Sequence, residues 1–319
     1  MQTLPKRSLP FQPPWLEMTV LGLLAMLYGP LLWHWCDGWL NKNISIEHEY
    51  FSHGLIGLPF AAYIAWEKRQ QWLSLPNQVP LGEAMGGLML LGMGVWFYLG
   101  NLSDLINLSF PMVLTGLCLW LKGLPGLRLQ AFPLLFVLLT TPNELPYLIA
   151  PYTLPLQQFI AGTAGFLLIQ LGMDVQVTQI YLFVNDRIVE VAPYCAGLKM
   201  LFTSLYVGLM MLYWTGVWRS RRKTLAFYMA IVMASVTANV IRNTCLTYFH
   251  GTGQDQAFYW LHDSWGGDLY SACLLGSFIF LLQGIDRWIP DRILDSSDLQ
   301  ETELEDGDPN SSEAEGELL

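Results

Sequence analysis

Residues 224–242, TLAFYMAIVMASVTANVIR, carry no charge until the arginine that ends them, and they follow directly on Arg219, Arg221, Arg222 and Lys223. A helix rising about 1.5 Å per residue makes this stretch long enough to cross a hydrocarbon core of about 30 Å. A short loop rich in Lys and Arg marks the cytoplasmic end of such a crossing. Seven further apolar runs stand at 16–35, 53–66, 84–100, 105–121, 129–143, 197–215 and 268–285. The run at 53–66 is short and draws on flanking residues such as Phe51 and Trp72. Read as crossings, these runs predict an all-α polytopic membrane protein, a bundle of about eight transmembrane helices.

The composition agrees. Of 319 residues, 53% are hydrophobic and 13% charged, and the mean hydropathy is +0.37. With 16 Lys and Arg, 13 Trp and 5 Cys, the chain is neither a nucleic-acid binder nor a disulfide scaffold. The net charge of −10 belongs to one end: residues 291–319 hold 11 of the 26 acids and one cation, Arg292, leaving 15 of each sign in residues 1–290. So acidic and apolar-poor a stretch cannot bury enough surface to offset its ordering entropy. The expected division is a cytoplasmic N-terminus at 1–15, a transmembrane domain at 16–290 and a disordered acidic cytoplasmic tail at 291–319. The first run carries Glu17 and lacks a small-x-small cleavage site, so it is expected to stay attached.

If the eight runs alternate, Lys6, Arg7, Lys68, Arg69, Lys122, Arg128, the 219–223 block, Arg287 and Arg292 share one side. Both termini are then inside. The other side holds Lys42, Arg187, Lys199 and Arg242, against the topological bias. Leu156 to Met173 breaks the alternation, since a ninth crossing there would put the 219–223 block outside. Its Gln157, Gln158 and Gln170, with Pro151 and Pro155 just ahead, suit a re-entrant or interfacial segment. Residues 175–192, VQVTQIYLFVNDRIVEVA, are rich in Val and Ile and broken at Asn185-Asp186, which reads as a small outer-face β-hairpin. That hairpin feeds into Cys195.

Cys36, Cys118, Cys245 and Cys273 lie in or near apolar runs, where a thiol behaves as a small hydrophobe. Cys195 differs: Pro193-Tyr194-Cys195-Ala196-Gly197-Leu198-Lys199 puts it at the start of a spanning helix, with Lys199 one turn further on the same face. The helix dipole and the ammonium both favour thiolate; a packing cysteine is the other reading. Arg242 ends its run at the outer face, where an unpaired cation is expensive. It either snorkels or pairs with Asp263 or Asp268, or it holds a substrate carbonyl and a developing oxyanion. His262 precedes the last run, with Asp263 beside it to orient the ring and Gly266 and Gly267 small enough to admit a peptide or helix. A lone histidine also serves structural ends. Nucleophile, cation and imidazole on one face at one membrane depth make a cysteine acyl-transfer set.

Rival signatures fail. His48-Glu49-Tyr50-Phe51-Ser52-His53 has one residue too many for a zinc-protease helix, which leaves its imidazoles about 140° apart. Trp265-Gly266-Gly267-Asp268 lacks the first glycine of the intramembrane aspartyl protease motif. No phosphate loop, dinucleotide fingerprint or paired CxxC occurs.

Over roughly residues 45–290 the chain resembles the exosortase and archaeosortase family of multispanning cysteine transpeptidases, most closely its cyanobacterial branch, the type B cyanoexosortases. Tyr50-Phe51-Ser52-His53-Gly54 is similar to the family's early Ser-His-Gly segment. Cys195-Ala196-Gly197-Leu198-Lys199 is similar to its Cys-Ser-Gly-Leu/Ile-Arg block, and Asn239 to Arg242, then His262 and Gly266, to its Asn-x-x-Arg and His-x-x-x-Gly elements. The resemblance implies a membrane-embedded cysteine protease or transpeptidase that cleaves C-terminal sorting signals of the Pro-Glu-Pro kind through a thioacyl intermediate. Cys195 would be the nucleophile, Arg242 the substrate or oxyanion stabiliser and His262 the acid/base. Lys199, Asn239 and His53 are the substrate-binding candidates, with neither cofactor nor metal expected; for His53 a capping hydrogen bond at the start of the second run is the other reading. Pro193-Tyr194 stand where the family has acids, and Ala196 and Lys199 replace its Ser and Arg; these departures leave the nucleophile's identity intact, but the family's sorting motif does not carry over from residues that differ beside it.

The implied setting is a bacterial inner membrane, with the site on the periplasmic face. The implied partners are exported proteins with a single C-terminal sorting helix, membrane lipid and associated proteins of the exosortase system, not nucleic acid. Two other functions fit the same residues: a non-enzymatic component for polysaccharide export or assembly, with Arg242 lining a conduit, and a membrane acyltransferase, with His262 as base and Cys195 idle. A conduit needs polar residues through both leaflets; here they sit mainly on one side, which favours surface chemistry.

Overall fold

The structure, a computed structural model, describes residues 14–40, 50–100, 103–193 and 197–289. In chain order its helices are α1 (Pro14–Leu40), α2 (Gly54–Glu67), α3 (Arg69–Ser74), α4 (Leu81–Leu99), α5 (Ser103–Thr140), α6 (Leu145–Ile149) and α7 (Leu154–Gln170). Three strands follow, β1 (Val175–Thr178), β2 (Tyr181–Val184) and β3 (Arg187–Glu190), and then α8 (Leu198–Thr215), α9 (Arg221–Gly251), α10 (Asp255–His262) and α11 (Trp265–Trp288). The apolar runs all fall on helices. Among the described residues five helical stretches are long and apolar enough to cross a membrane: Leu81–Leu99, Leu105–Thr140, Leu198–Thr215, Arg221–Gly251 and Trp265–Trp288. The chain is a multi-pass membrane protein, mostly helical. The acidic tail at 291–319 and residues 1–13 lie outside the described residues.

The count of five differs from eight partly because the runs at 105–121 and 129–143 share α5. Gly123 interrupts that helix at φ 65° and ψ −159°, a conformation open to glycine because it lacks a Cβ. The chain folds back there. Asn107 on the first arm accepts from Trp35 Nε1 at 2.7 Å, whereas Leu139 on the second bonds His53, whose neighbour Gly54 packs against Trp39. In a straight helix those two positions would stand about 48 Å apart. The second arm begins against a carboxylate: Glu83 of α4 accepts from Leu124 N–H at 2.7 Å, a favourable place for negative charge. Along the first arm α4 packs glycine to backbone, and a Cβ on Gly87 would stand 2.6 Å from Trp120 N. Such close approach suits helices in lipid.

Cations gather at one end of the bundle. Lys68 Nζ donates to Leu129 O at 2.9 Å and lies 5.8 Å from the Tyr213 ring. Lys122, buried, donates to Leu75 O and Asn77, and Lys223 pairs with Asp286 at 2.7 Å. This end joins α2, the turn of α5, and the facing ends of α8, α9 and α11.

The opposite end carries the sheet. Its strands pair antiparallel in the order β1-β2-β3, so the expected hairpin is a three-stranded meander. Asn185 and Asp186, at φ 48° and 63°, form the β2–β3 turn; both left-handed values match the twist of a tight hairpin. The additional turn bends at Gln179, φ 57°. The segment read as re-entrant or interfacial is α7, whose Ile160, Ala161, Ala164 and Leu168 bury against Val175, Leu182, Val184 and Val191 of the sheet and its exit, and against Val240 of α9. Its outer face exposes Phe159, Phe166 and Ile169.

Candidate functional site

The site is built around the C-terminal third of α9. Apolar character there gives way to Asn239, Arg242, Asn243, Thr244 and Thr247, and the helix does not stop at Arg242 as its hydropathy suggests; it runs on to Gly251. The reason is the sheet. Asn185 donates to Gly251 O at 3.1 Å, and Arg187 donates to His250 O at 3.1 Å and pairs with Asp255 at 2.6 Å. These bonds satisfy carbonyls at the helix end and tie it to α10. They also account for Arg187 on the side of the molecule where cations are scarce.

Arg242 reaches toward the end of α10. Its guanidinium makes one long hydrogen bond, 3.4 Å to Leu261 O, and its Nε is buried with no partner among the described residues. Asp263, one of the two acids offered as an alternative partner for Arg242, instead holds its neighbour: His262 Nδ1 donates to Asp263 Oδ1 at 2.7 Å. That bond leaves Nε2 as the basic nitrogen. The imidazole also stacks on Phe258, one turn earlier, with centroids 5.2 Å apart and planes at 9°. The structure thus brings Arg242 to the residue before His262. Tyr270 of α11 ties that helix to α9 one turn before Arg242, donating to Ala238 O at 2.6 Å.

Gly266 and Gly267 do not leave room for an incoming chain. A Cβ on Gly266 would stand 2.5 Å from the Trp260 ring, and one on Gly267 would stand 2.8 Å from Leu261 O and 3.4 Å from the Arg242 guanidinium. The space that the missing side chains leave is filled by the protein's own α10–α11 turn.

Cys195 lies outside the described residues, but both of its flanks are held. Upstream, Val191 N–H donates to Ile180 O at 2.9 Å, and its carbonyl accepts from Gln157 Nε2 at 2.8 Å. Downstream, Gly197 is left-handed at φ 82° and packs so tightly on Asn239 that a Cβ would stand 2.5 Å from the amide carbon. Asn239 is buried and stands one turn before Arg242 on α9. Gln157 was noticed in the sequence only as a polar residue in an apolar run; its partner 34 residues away gave no local signal.

Helix α8 begins at Leu198, after the left-handed Gly197. Helical spacing therefore does not carry back from Lys199 to residue 195, and the shared-face argument between them falls. Lys199 itself sits half-buried in the first turn of α8.

His53 goes elsewhere. Its ring is buried, 4.5 Å from Tyr206 between centroids, and Nε2 donates to Leu139 O at 3.2 Å while Nδ1 is buried without a partner among the described residues. It makes no capping hydrogen bond at the start of α2. Among the described residues its neighbours are Leu139 of α5, Tyr206 of α8, the ring of Phe51 and the backbone of Tyr50. His48 and Glu49 lie outside the described residues.

Compared with known proteins, residues 39–279 match the family model described as transmembrane exosortase. No curated protein and no solved structure matches the chain.

Proposed function

The chain belongs to the transmembrane exosortase family, and from that membership we propose that it is a cysteine transpeptidase processing C-terminal sorting signals of exported proteins, with Cys195, Arg242 and His262 as its catalytic residues. One observation supports this reading above the others. Gly197, two residues after Cys195, packs on Asn239, and Arg242 one turn later reaches the residue before His262. Two residues of chain reach at most about 7 Å, which supports a reading in which Cys195 acts beside Asn239 and Arg242.

In the proposed reaction the Cys195 thiolate attacks the scissile carbonyl carbon, and the carbonyl electrons move onto oxygen. Arg242, whose guanidinium makes one long hydrogen bond among the described residues, offsets that charge with Lys199. The C–N bond then breaks; His262, held by Asp263, gives its proton to the leaving amine, and a thioester remains on Cys195. Water or an acceptor amine, losing a proton to His262, attacks the thioester and releases the acyl group and the thiolate. Asn239 holds the turn that presents the nucleophile. His53 acts as a structural bridge between α2, α5 and α8 in this reading.

The eight apolar runs are proposed to cross the bacterial inner membrane with both termini inside, the basic end in the cytoplasm and the sheet, Arg242 and His262 at the periplasmic face. The motif pattern is similar to that of the type B cyanoexosortases, and the proposed substrates are exported proteins with a single C-terminal sorting helix. Maturation of a sorting-signal reporter in cells tests the assignment. Cys195→Ala is expected to abolish it, and Arg242→Lys to slow it by about 10² to 10³. Normal maturation with Cys195→Ala rejects the enzyme.

A further inference from the structure

An apolar cavity of about 510 Å³ lies between α1, α2 and the two arms of α5. It shares no residue with the candidate active site. It exists because α2 turns Ala61, Ala62 and Ala65 toward it, where longer side chains would fill the space. Two polar side chains interrupt its wall. Gln130 is 8% exposed and lines the cavity, and its amide makes no hydrogen bond within the protein among the described residues while remaining accessible from the cavity. An amide that opens onto an apolar cavity offers a donor and an acceptor to whatever occupies it. Arg69 lines the cavity at the basic end. Its guanidinium lies 4.5 Å from the Trp66 ring and gives one N–H to Trp66 O at 3.0 Å, which leaves its other donors uncommitted among the described residues. Lys68 is its neighbour in sequence, and Lys122 lies 5.9 Å from the ring of Trp72, another residue of the cavity wall.

We propose that this cavity binds one acyl chain of an anionic glycerophospholipid from the leaflet at the basic end. The phosphate pairs with Arg69, and the Gln130 amide donates to a glycerol-ester carbonyl. A sorting helix does not fit, since a helix of about 20 residues and 10 Å diameter needs more than about 2,000 Å³. A zwitterionic headgroup would bring its own cation against Arg69 and Lys68. Basic pockets between membrane helices suit anionic headgroups for the same electrostatic reason. The proposal requires the membrane setting alone, so it stands whether or not the chain is a transpeptidase.

The test is native mass spectrometry of the full-length protein offered phosphatidylglycerol and phosphatidylcholine with identical acyl chains in equal amounts. The wild type is expected to retain one phosphatidylglycerol in preference to phosphatidylcholine. Arg69→Gln, at an exposed position where folding is not at stake, is expected to cut that preference about fivefold. Ala65→Phe, which fills the cavity, is expected to abolish retention of both lipids. Cys118 lines the same cavity and reports independently: its alkylation by N-ethylmaleimide, mapped by peptide mass, is expected to slow when phosphatidylglycerol is added to the wild type. Equal retention of the two lipids overturns the proposal, as does an Arg69→Gln preference equal to the wild type's. Unprotected Cys118 overturns it, and so does displacement of phosphatidylglycerol by palmitate or by a synthetic sorting-signal helix.

Discussion

Val191 is held at both its backbone groups: its N–H donates to Ile180 O in the β1–β2 turn, and its carbonyl accepts from the helix that covers it. It is fully buried, and its carbonyl has Gln157 Nε2 at 2.8 Å. Gln157→Leu would leave that oxygen buried and unpaired, a loss of about 1–3 kcal/mol. The expected outcome is a lower unfolding midpoint in detergent together with slower reporter maturation, since Val191 lies four residues before Cys195. A variant that unfolds earlier but processes at the normal rate would mean that this pin serves stability only. Arg242 was legible from the sequence because a cation at the outer end of an apolar run has to be explained. What it touches was not legible: the choice of Leu261 O over Asp263 depends on how α10 turns into α11, which hydropathy does not encode.

Among the elements, the sheet shows which local signals carry and which do not. Asn185-Asp186 announces a tight turn because both residue types tolerate left-handed backbone. The turn between β1 and β2 went unread because Gln179 is no turn former, so residues 175–184 look like one continuous strand. A β-branched residue at a left-handed position is strained by about 1–3 kcal/mol. Asp186→Val is therefore expected to lower thermal stability by that amount, and Asp186→Gly to spare it. Equal unfolding midpoints for the two variants would show that the turn does not hold the sheet on α9. The re-entrant or interfacial reading of α7 rested on its glutamines. Gln157 is indeed turned inward, toward Val191, a contact between distant parts of the chain that no window of sequence displays.

The whole molecule has two unlike ends. One gathers Lys68, Lys122 and Lys223; the other holds the sheet, Arg242 and His262. Between them the helices expose large apolar side chains such as Trp96, Leu225 and Phe280, as surfaces facing lipid do. The helical class, the positions of the helices and the side on which the cations gather were all readable, because length, hydropathy and charge bias act locally. The fold-back of α5 at Gly123 joined two runs into one element and blurred the count. With the native cysteines other than Cys195 replaced, a membrane-impermeant maleimide applied from outside is expected to label Gln254→Cys and spare Arg219→Cys. The reverse pattern would invert the proposed orientation. The central claim is that the sulfur between Val191 and Gly197 carries out the chemistry. Mass spectrometry of an intermediate trapped during turnover with a sorting-signal substrate tests it most directly. The account predicts the substrate's acyl portion in thioester linkage to Cys195; an adduct on any other residue, or undiminished turnover with Cys195 never modified, would contradict it.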